Sequence, residues 1–547
     1  MKWQERLSMV IILAISLFVS ACSNKKVDEK ANERVEKQIL NVTISEEIPS
    51  LDTAKSMDGT SSHVMQNIFE GLYVLDEKDN PEPGVAKSFD KSEDGKTYTF
   101  HLRKDAKWSN GDAVTAHDFV YAWRRAVNPN TTSQYAYMLF HMKNAEEINK
   151  GALPIDQLGV KAVDDDTLEI QLEQPIPYLL HLLALPIYLP QHETFVTEKG
   201  STYGLEPEHL IYNGPFVLTD WKHEQEFQLK RNDTYWDKDK VKLKEINFHI
   251  VKDTATAVNL YESGSIDRIP INASFVDQYK GKQDFYATKD AAIAMLRFNQ
   301  SNAALANKKL RQSLSMALNK EAFVTHFLNN GATAAQGLVP VGYKNEIDGK
   351  DFRKENGDIA IYNIEKAKTL WEEAKKELRT ESVTLEFLNF EQDHAKCTAE
   401  YIKEELEKHL QGLTIHIKQQ PFKQKLQLEK TGQYEMSMVV WGPDYKDPIS
   451  FLELFTTSNP NNKMAYSNPH YDELINKAKS DVVLQPRKRW EALQEAEKIL
   501  IEDAAVAPLY HTGSAYLQKE YVKGIEKHQF GGVYTYKNAY IIGNEEN

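Results

Sequence analysis

Residues Ala86–Pro129 read AKSFDKSEDGKTYTFHLRKDAKWSNGDAVTAHDFVYAWRRAVNP. Asp94-Gly95 is a tight-turn dipeptide, and Thr97–Leu102 after it alternates, with Tyr98, Phe100 and Leu102 on one face. That pattern predicts the second strand of a hairpin. Trp108-Ser109-Asn110-Gly111 is a further turn. Thr115 and Asp118 have the spacing of a capping box, which starts a helix. Phe119, Trp123, Ala126 and Val127 recur at helical spacing until Asn128-Pro129 stops them. Periodicity alone makes the block structural, with its Trp and Phe residues in a core.

Upstream, Lys2 and Arg6 precede an apolar run from Leu7 to Val19, then Ser20, Ala21 and Cys22. The run is too short to favour a membrane span and has the layout of a secretory signal. Ser23–Lys37 is polar, charged and free of aromatics, as expected of a flexible tether. Leu40–Asp52, LNVTISEEIPSLD, predicts a short strand ending near Glu46-Glu47, and Asn67–Asp76, NIFEGLYVLD, a helix passing into a strand.

The chain has 547 residues, enough for roughly two to four domains or lobes with sizeable cores. Its net charge of −14 argues against a general nucleic-acid binder. There are two cysteines and no Cys/His zinc pattern, and the 16 histidines are scattered. No later segment has the length of a membrane span, which predicts a soluble mature body. No cofactor is called for. An enzyme is the first competing reading, since Asp444 and Asp447 could pair as hydrolase carboxylates. Yet the chain has no G-x-S-x-G, H-E-x-x-H or P-loop motif.

In the second half, strands and helices alternate. Asn363 is a candidate N-cap with Glu365 in the first turn, and Ala367, Leu370, Trp371 and Ala374 share a helical face. Val383–Leu388 reads as a strand, Tyr401–Leu410 as a helix, Leu413–Ile417 as a strand and Phe422–Leu428 as a helix. This order favours a βαβ sheet. It leads into Tyr434–Pro448, YEMSMVVWGPDYKDP, an apolar strand punctuated by Gly442-Pro443 and followed by Asp444. Pro-Asp is an ordinary turn dipeptide, so Asp444 can be a solvated turn residue. A carboxylate at the end of a buried strand needs a cation or several donors, and ligands of open α/β sheets sit at such ends.

Several of these stretches carry a resemblance. DGKTYTFHLRKDAKWSNGDAVTAHDFVYAW resembles the signature of the large solute-binding proteins of peptide ABC transporters. Asn213-Gly214-Pro215-Phe216 with Trp221 and Asn232–Asp237, then Tyr261–Asp267, Arg311–Lys320 (RQSLSMALNK) and WGPDYKDPISF, are similar to later landmarks in the family's order. The likeness runs from about residue 40 to the end and is strongest to the oligopeptide-binding members.

The resemblance implies an α/β, multi-lobed periplasmic-binding-protein-like fold: two ligand-enclosing lobes, a hinge and an extra lobe. Lobe I would be 38–59, 193–295 and 512–547, lobe II 60–192 and lobe III 296–511, with 1–21 the signal peptide and 22–37 the tether. The interlobe crossings would lie near Ile293–Phe298 and Pro508–His511. The function implied is capture of oligopeptides and their delivery to membrane permease subunits, by a monomer. Alternatives within the fold are a signalling peptide or a cargo such as nickel, haem or a sugar. Val19-Ser20-Ala21-Cys22 resembles a lipobox, implying a lipid on Cys22 and a place on the extracytoplasmic face of the cell membrane, at a Gram-positive surface. If so, Cys397 has no intramolecular disulfide partner.

Asp444 matches the family's amine-binding aspartate. Trp441, Glu47, Tyr135 (in TSQYAYM), His394 (in NFEQDHAK) and Asn272 (in IPIN) align with other peptide-binding positions. Glu47 is equally an ordinary strand-end group and Trp441 equally a core residue. Two departures stand out. Met438 and Glu429 occupy positions where family members place arginines that serve ligand or neighbouring carboxylates, and Gly442-Pro443 replaces a Cys-Ala type pair. Both bear on the peptide length that is preferred.

Overall fold

The structure is a computed structural model. It describes residues 36–543 except 57, 346, 391, 392, 458 and 460, and no side chains for 393, 394, 422 and 423. The apolar leader, Cys22 and most of the charged tether lie outside the described residues.

Two long strands, Phe285–Phe298 and Val506–Gln518, organise the molecule. They run antiparallel from Phe285↔Leu517 to Arg297↔Val506, with register shifts between Lys289 and Ile293 and between Ala294 and Met295. Beside the outer part of the pair lie Arg268–Ile271, Ile39–Ile44, Glu245–Ile250, Glu226–Arg231 and Phe216–Lys222, in that order. Beside the inner part lie Met436–Trp441, Val383–Phe390 and Leu413–Gln420. The result is one sheet of eleven strands among the described residues, drawn as two limbs joined through the long pair. The crossings expected near Ile293 and Pro508 fall inside these two strands, beside the register shifts. A shift of register leaves ladder groups unpaired and bends a strand.

The inner limb has the expected βαβ character. Val383–Phe390 is parallel to Leu413–Gln420 from Val383↔Leu413 to Phe390↔Gln420. Asn363 caps Ile364–Leu378 by accepting from the Lys366 amide, and Ala367, Trp371 and Ala374 are buried. The next helix spans Asp393–His409, starting well before the expected Tyr401. The stretch before Tyr401, DHAKCTAE, has two alanines, a lysine and a glutamate that favour a helix, although its apolar period is weak.

A separate antiparallel sheet of four strands is ordered Ala86–Lys91, Thr97–Leu102, Thr167–Gln171, Val160–Asp164. Asp94-Gly95 turns the first pair, with Gly95 at φ +69°. Tyr98, Phe100 and Leu102 face the core as the alternation requires. The Thr115 amide donates to the Asp118 carboxylate at 2.7 Å, starting Ala116–Val127, whose Phe119 and Trp123 are fully buried. Trp108 and Trp123 are core, as periodicity indicated. The strand at Leu40 ends at Ile44, its last partner being Ile250, short of Glu46-Glu47. Among the described residues no helix is long and apolar enough to cross a membrane, and no His/Cys/Asp/Glu cluster could hold a metal ion.

Candidate functional site

Met436–Trp441 is bound along one side to the long Phe285–Phe298 strand, from Phe298↔Met436 to Ile293↔Trp441. On its other side it pairs with Val383–Phe390 only at Phe387↔Met436 and Leu388↔Ser437. Beyond Ser437 the two strands part. Met438, Val439, Val440 and Trp441 therefore present one edge with no strand against it among the described residues. In an antiparallel ladder alternate residues bond to the neighbour while the others point away, so this edge offers backbone donors and acceptors to an incoming strand. Val440 is 46% exposed beside it.

The edge ends at Gly442-Pro443, and the chain turns to place Asp444 over it. Ser450 fixes the turn: its hydroxyl accepts from the Asp444 amide at 3.0 Å, and its carbonyl accepts the Trp441 indole N–H at 3.1 Å. Among the described residues the Asp444 carboxylate accepts one hydrogen bond, from the Tyr135 hydroxyl at 2.9 Å, and no cation acts on it. Burial pushes its pKa up to about 6, the Tyr135 hydrogen bond opposes the shift, and the charge of Glu453 adds to it. Tyr137 packs edge-on against Tyr135 at 5.4 Å and is itself held neutral by burial and by the charges of Asp444 and Glu453.

The residues after Asp444 tie the same loop to the unit that carries the four-stranded sheet. Tyr445 stacks on Tyr178 with ring centres 4.1 Å apart, and its hydroxyl donates to Glu453 at 2.8 Å. Lys446 donates to the Lys78 carbonyl at 2.7 Å. Asp447 receives two hydrogen bonds from the buried Arg489, at 2.8 and 2.9 Å. The candidate site is thus closed by contacts between residues some 300 positions apart in sequence, Tyr135 and Asp444 being separated by 309.

Of the six residues singled out as ligand-binding, the structure brings Asp444, Trp441 and Tyr135 together. Glu47 is engaged elsewhere: its carboxylate accepts from the Trp221 indole at 2.7 Å and from the Glu224 amide, and His223 Nδ1 lies 3.2 Å away. It fastens the turn between Phe216–Lys222 and Glu226–Arg231. Asn272 is an exposed helix cap that accepts from the Ser274 amide at 3.2 Å. The side chain of His394 lies outside the described ones. Ser450, Glu453 and Tyr178 escaped the sequence reading. Ser450 lies within WGPDYKDPISF and the other two in no motif, and only tertiary contact gives the three a part.

A strand edge left open beside a buried carboxylate is suited to holding an extended solute that carries a cation. The profile described as "Bacterial extracellular solute-binding proteins, family 5 Middle" matches residues 80–463. The chain belongs to this family. It is 34% identical to the dipeptide-binding protein of Lactococcus lactis subsp. cremoris over 99% of this chain and 100% of that one. Among solved structures, the substrate-binding domain of an oligopeptide ABC transporter from Bacillus anthracis is 48% identical with a TM-score of 0.81, covering 93% of this chain and 99% of its own. OppA of Listeria monocytogenes, solved with a bound peptide, is 40% identical with a TM-score of 0.80 over 93% and 99%. The multi-lobed α/β fold expected from the sequence is the fold of these proteins.

Proposed function

We propose that the protein captures oligopeptides outside the cytoplasm and delivers them to the permease of an ABC transporter. The observation that carries this reading is the free edge Met438–Trp441 ending at an uncompensated buried carboxylate. A peptide adds to the edge as a strand, through backbone hydrogen bonds that ignore its sequence. Its α-ammonium supplies the charge that Asp444 lacks, and the charge-assisted bond fixes register. With the amine at Asp444 the peptide runs antiparallel to Met436–Trp441. Four edge residues at ~3.3 Å each accommodate about four peptide residues. Trp441 and Tyr135 wall the amine end, while Glu47 and Asn272 keep structural posts.

The names of the relatives support the peptide reading, and the uptake role follows from the family. Lobes I, II and III, with the boundaries implied by the resemblance, close about the paired strands Phe285–Phe298 and Val506–Gln518. Cys22 carries the lipid that holds the molecule at the membrane.

The test is a cycle of four titrations, pairing the natural protein and Asp444→Ala with a tetrapeptide and its N-acetyl form. Removing one partner of a buried charge pair costs roughly 2–5 kcal/mol, or about 30-fold to several thousand-fold in affinity. Each single change should cost that much, and the two together little more. Tight binding of the acetylated peptide by the natural protein, or additive losses, would leave Asp444 a turn residue.

A further inference from the structure

The free edge has two faces, and they offer different things to a side chain; this inference rests on the peptide reading above. By alternation Val439 and Trp441 lie on one face of the strand, Met438 and Val440 on the other. The ladder carries both faces inward. Trp441 is opposite Ile293 and Val439 opposite Met295, while Val440 is opposite Ala294 and Met438 opposite Leu296. Ile293 and Met295 belong to one core, with Val439, Trp441 and Tyr135 packed against it. Ala294, Leu296 and Met438 belong to a second core, which includes Tyr510, directly opposite Ala294 in the next strand. Those residues are buried, whereas Val440 is 46% exposed. Val440 continues the row of Tyr510 and Ala294 as far as the edge, and among the described residues the row ends there. It is where the second core runs out.

An incoming strand extends each row by one residue. The amine sits at Asp444 and the peptide runs antiparallel to Met436–Trp441. Its first residue then falls beside Trp441, the second beside Val440, the third beside Val439 and the fourth beside Met438. Residues directly opposite in antiparallel strands bring their Cβ atoms to about 4.5–5.5 Å on the same face. The second side chain therefore lands on Val440, the most exposed of the four. An apolar side chain there covers the valine and is covered by it. Met438 is already buried, so a fourth side chain on the same face has less to cover.

We propose that Val440 is a specificity determinant that favours an apolar, best a β-branched, second residue in the peptide. The preference is graded, up to about fivefold over alanine, which is the scale of one cross-strand pair. It biases selection without closing the site to other sequences.

The experiment is titration calorimetry with the natural protein, Val440→Ala and Val440→Glu. The ligands are tetra-alanine, its four single-valine forms and the form with lysine at the second position. On the natural protein, valine at the second position should bind up to about fivefold more tightly than alanine, and more tightly than lysine. In Val440→Ala that gain should vanish, while the effect of valine at the first and third positions stays as it was. In Val440→Glu, lysine at the second position should bind more tightly than valine, a reversal of the natural order. Each comparison is between peptides on one protein, so a general loss of affinity in a variant cancels. The proposal is overturned if the natural protein shows no gain at the second position, if the gain survives Val440→Ala, or if Val440→Ala removes a gain at the first or third position instead. If none of the six peptides binds the natural protein, the peptide reading itself falls, and this inference with it.

Discussion

Lowering the pH should switch off peptide capture through Asp444 before it harms the fold. Burial raises the carboxyl to about 6 in the empty protein, with Glu453 adding to the shift and the Tyr135 hydroxyl opposing it. Nearby, Tyr135 and Tyr137 are raised above their usual range and burial lowers His141 to about 4, so none of these three titrates between pH 5 and 7. An ammonium beside Asp444 pulls its pKa down, so binding requires the ionised form. With a pKa of about 6, roughly ten carboxylates in eleven are ionised at pH 7 and about one in eleven at pH 5. Affinity should therefore fall by up to about tenfold between these values, about 1.4 kcal/mol, the whole of it where the empty protein rests closed. Above pH ~8 the peptide's own α-amine deprotonates and affinity falls again. Calorimetry of one tetrapeptide at pH 5, 6 and 7 measures the slope. Repeating pH 6 in buffers of different ionisation enthalpy should reveal about half a proton released per peptide. Constant affinity from pH 5 to 7 with no proton release would refute the reasoning, as would the same profile in Asp444→Asn.

The same carboxyl should weaken the empty protein. Its folded pKa lies above the unfolded value near 3.9, so its contribution to stability is full below that pH and is lost as the pH rises through about 6. Asp444→Asn, which keeps an acceptor for Tyr135, should raise the melting temperature of empty protein at pH 7, by at most ~3 kcal/mol of stability, and leave it unchanged at pH 3.5. Small-angle scattering should find the empty protein more compact at pH 5 than at pH 7, and compact at both once peptide is bound. Cys22→Ala should abolish palmitate incorporation and release the protein from membranes; equal labelling of the variant would remove the lipid anchor from the proposal.

The elements whose order was legible in the sequence are those whose pattern is local. The Thr97–Leu102 strand, the capping pair Thr115 and Asp118, the Asn363 cap and the parallel strands at Val383 and Leu413 follow from alternation, capping chemistry and helical period, which need no distant partner. What escaped is set by tertiary contact. Periodicity calls Met436–Trp441 a buried strand but cannot say that its second neighbour departs after Ser437, which is what makes it an edge. Glu47 reads equally as a ligand group or a strand-end group, and only the fold shows that the Trp221 indole and the Glu224 amide, more than 170 positions away, bond to its carboxylate. Glu429 reads as one more acid on an amphipathic helix, and only Arg297, Lys425 and Ser437 converging on it reveal a buried charge. Asp444 stands out in the sequence because a strand end, a turn and a carboxylate coincide, but that no cation among the described residues acts on it could be learned only from the folded chain.

That lack ties closure to cargo. On the proposed division into lobes, Tyr135 belongs to lobe II and Asp444 to lobe III, and their contact forms only when those lobes meet. When they separate, water reaches the carboxylate and its pKa returns toward the usual value near 3.9. Closing on an empty site at pH 7 then means burying an ionised carboxylate on which the charge of Glu453, of the same sign, also acts. A shift of about two pK units corresponds to roughly a hundredfold bias against the empty closed form. A peptide ammonium cancels that bias at the moment the edge hydrogen bonds form. Neither contact suffices alone: a chain without a free amine leaves the carboxylate uncompensated, and an amine without a backbone leaves the edge unfilled. Side chains enter neither condition, so a receptor built this way can accept many sequences and still shut only on a peptide.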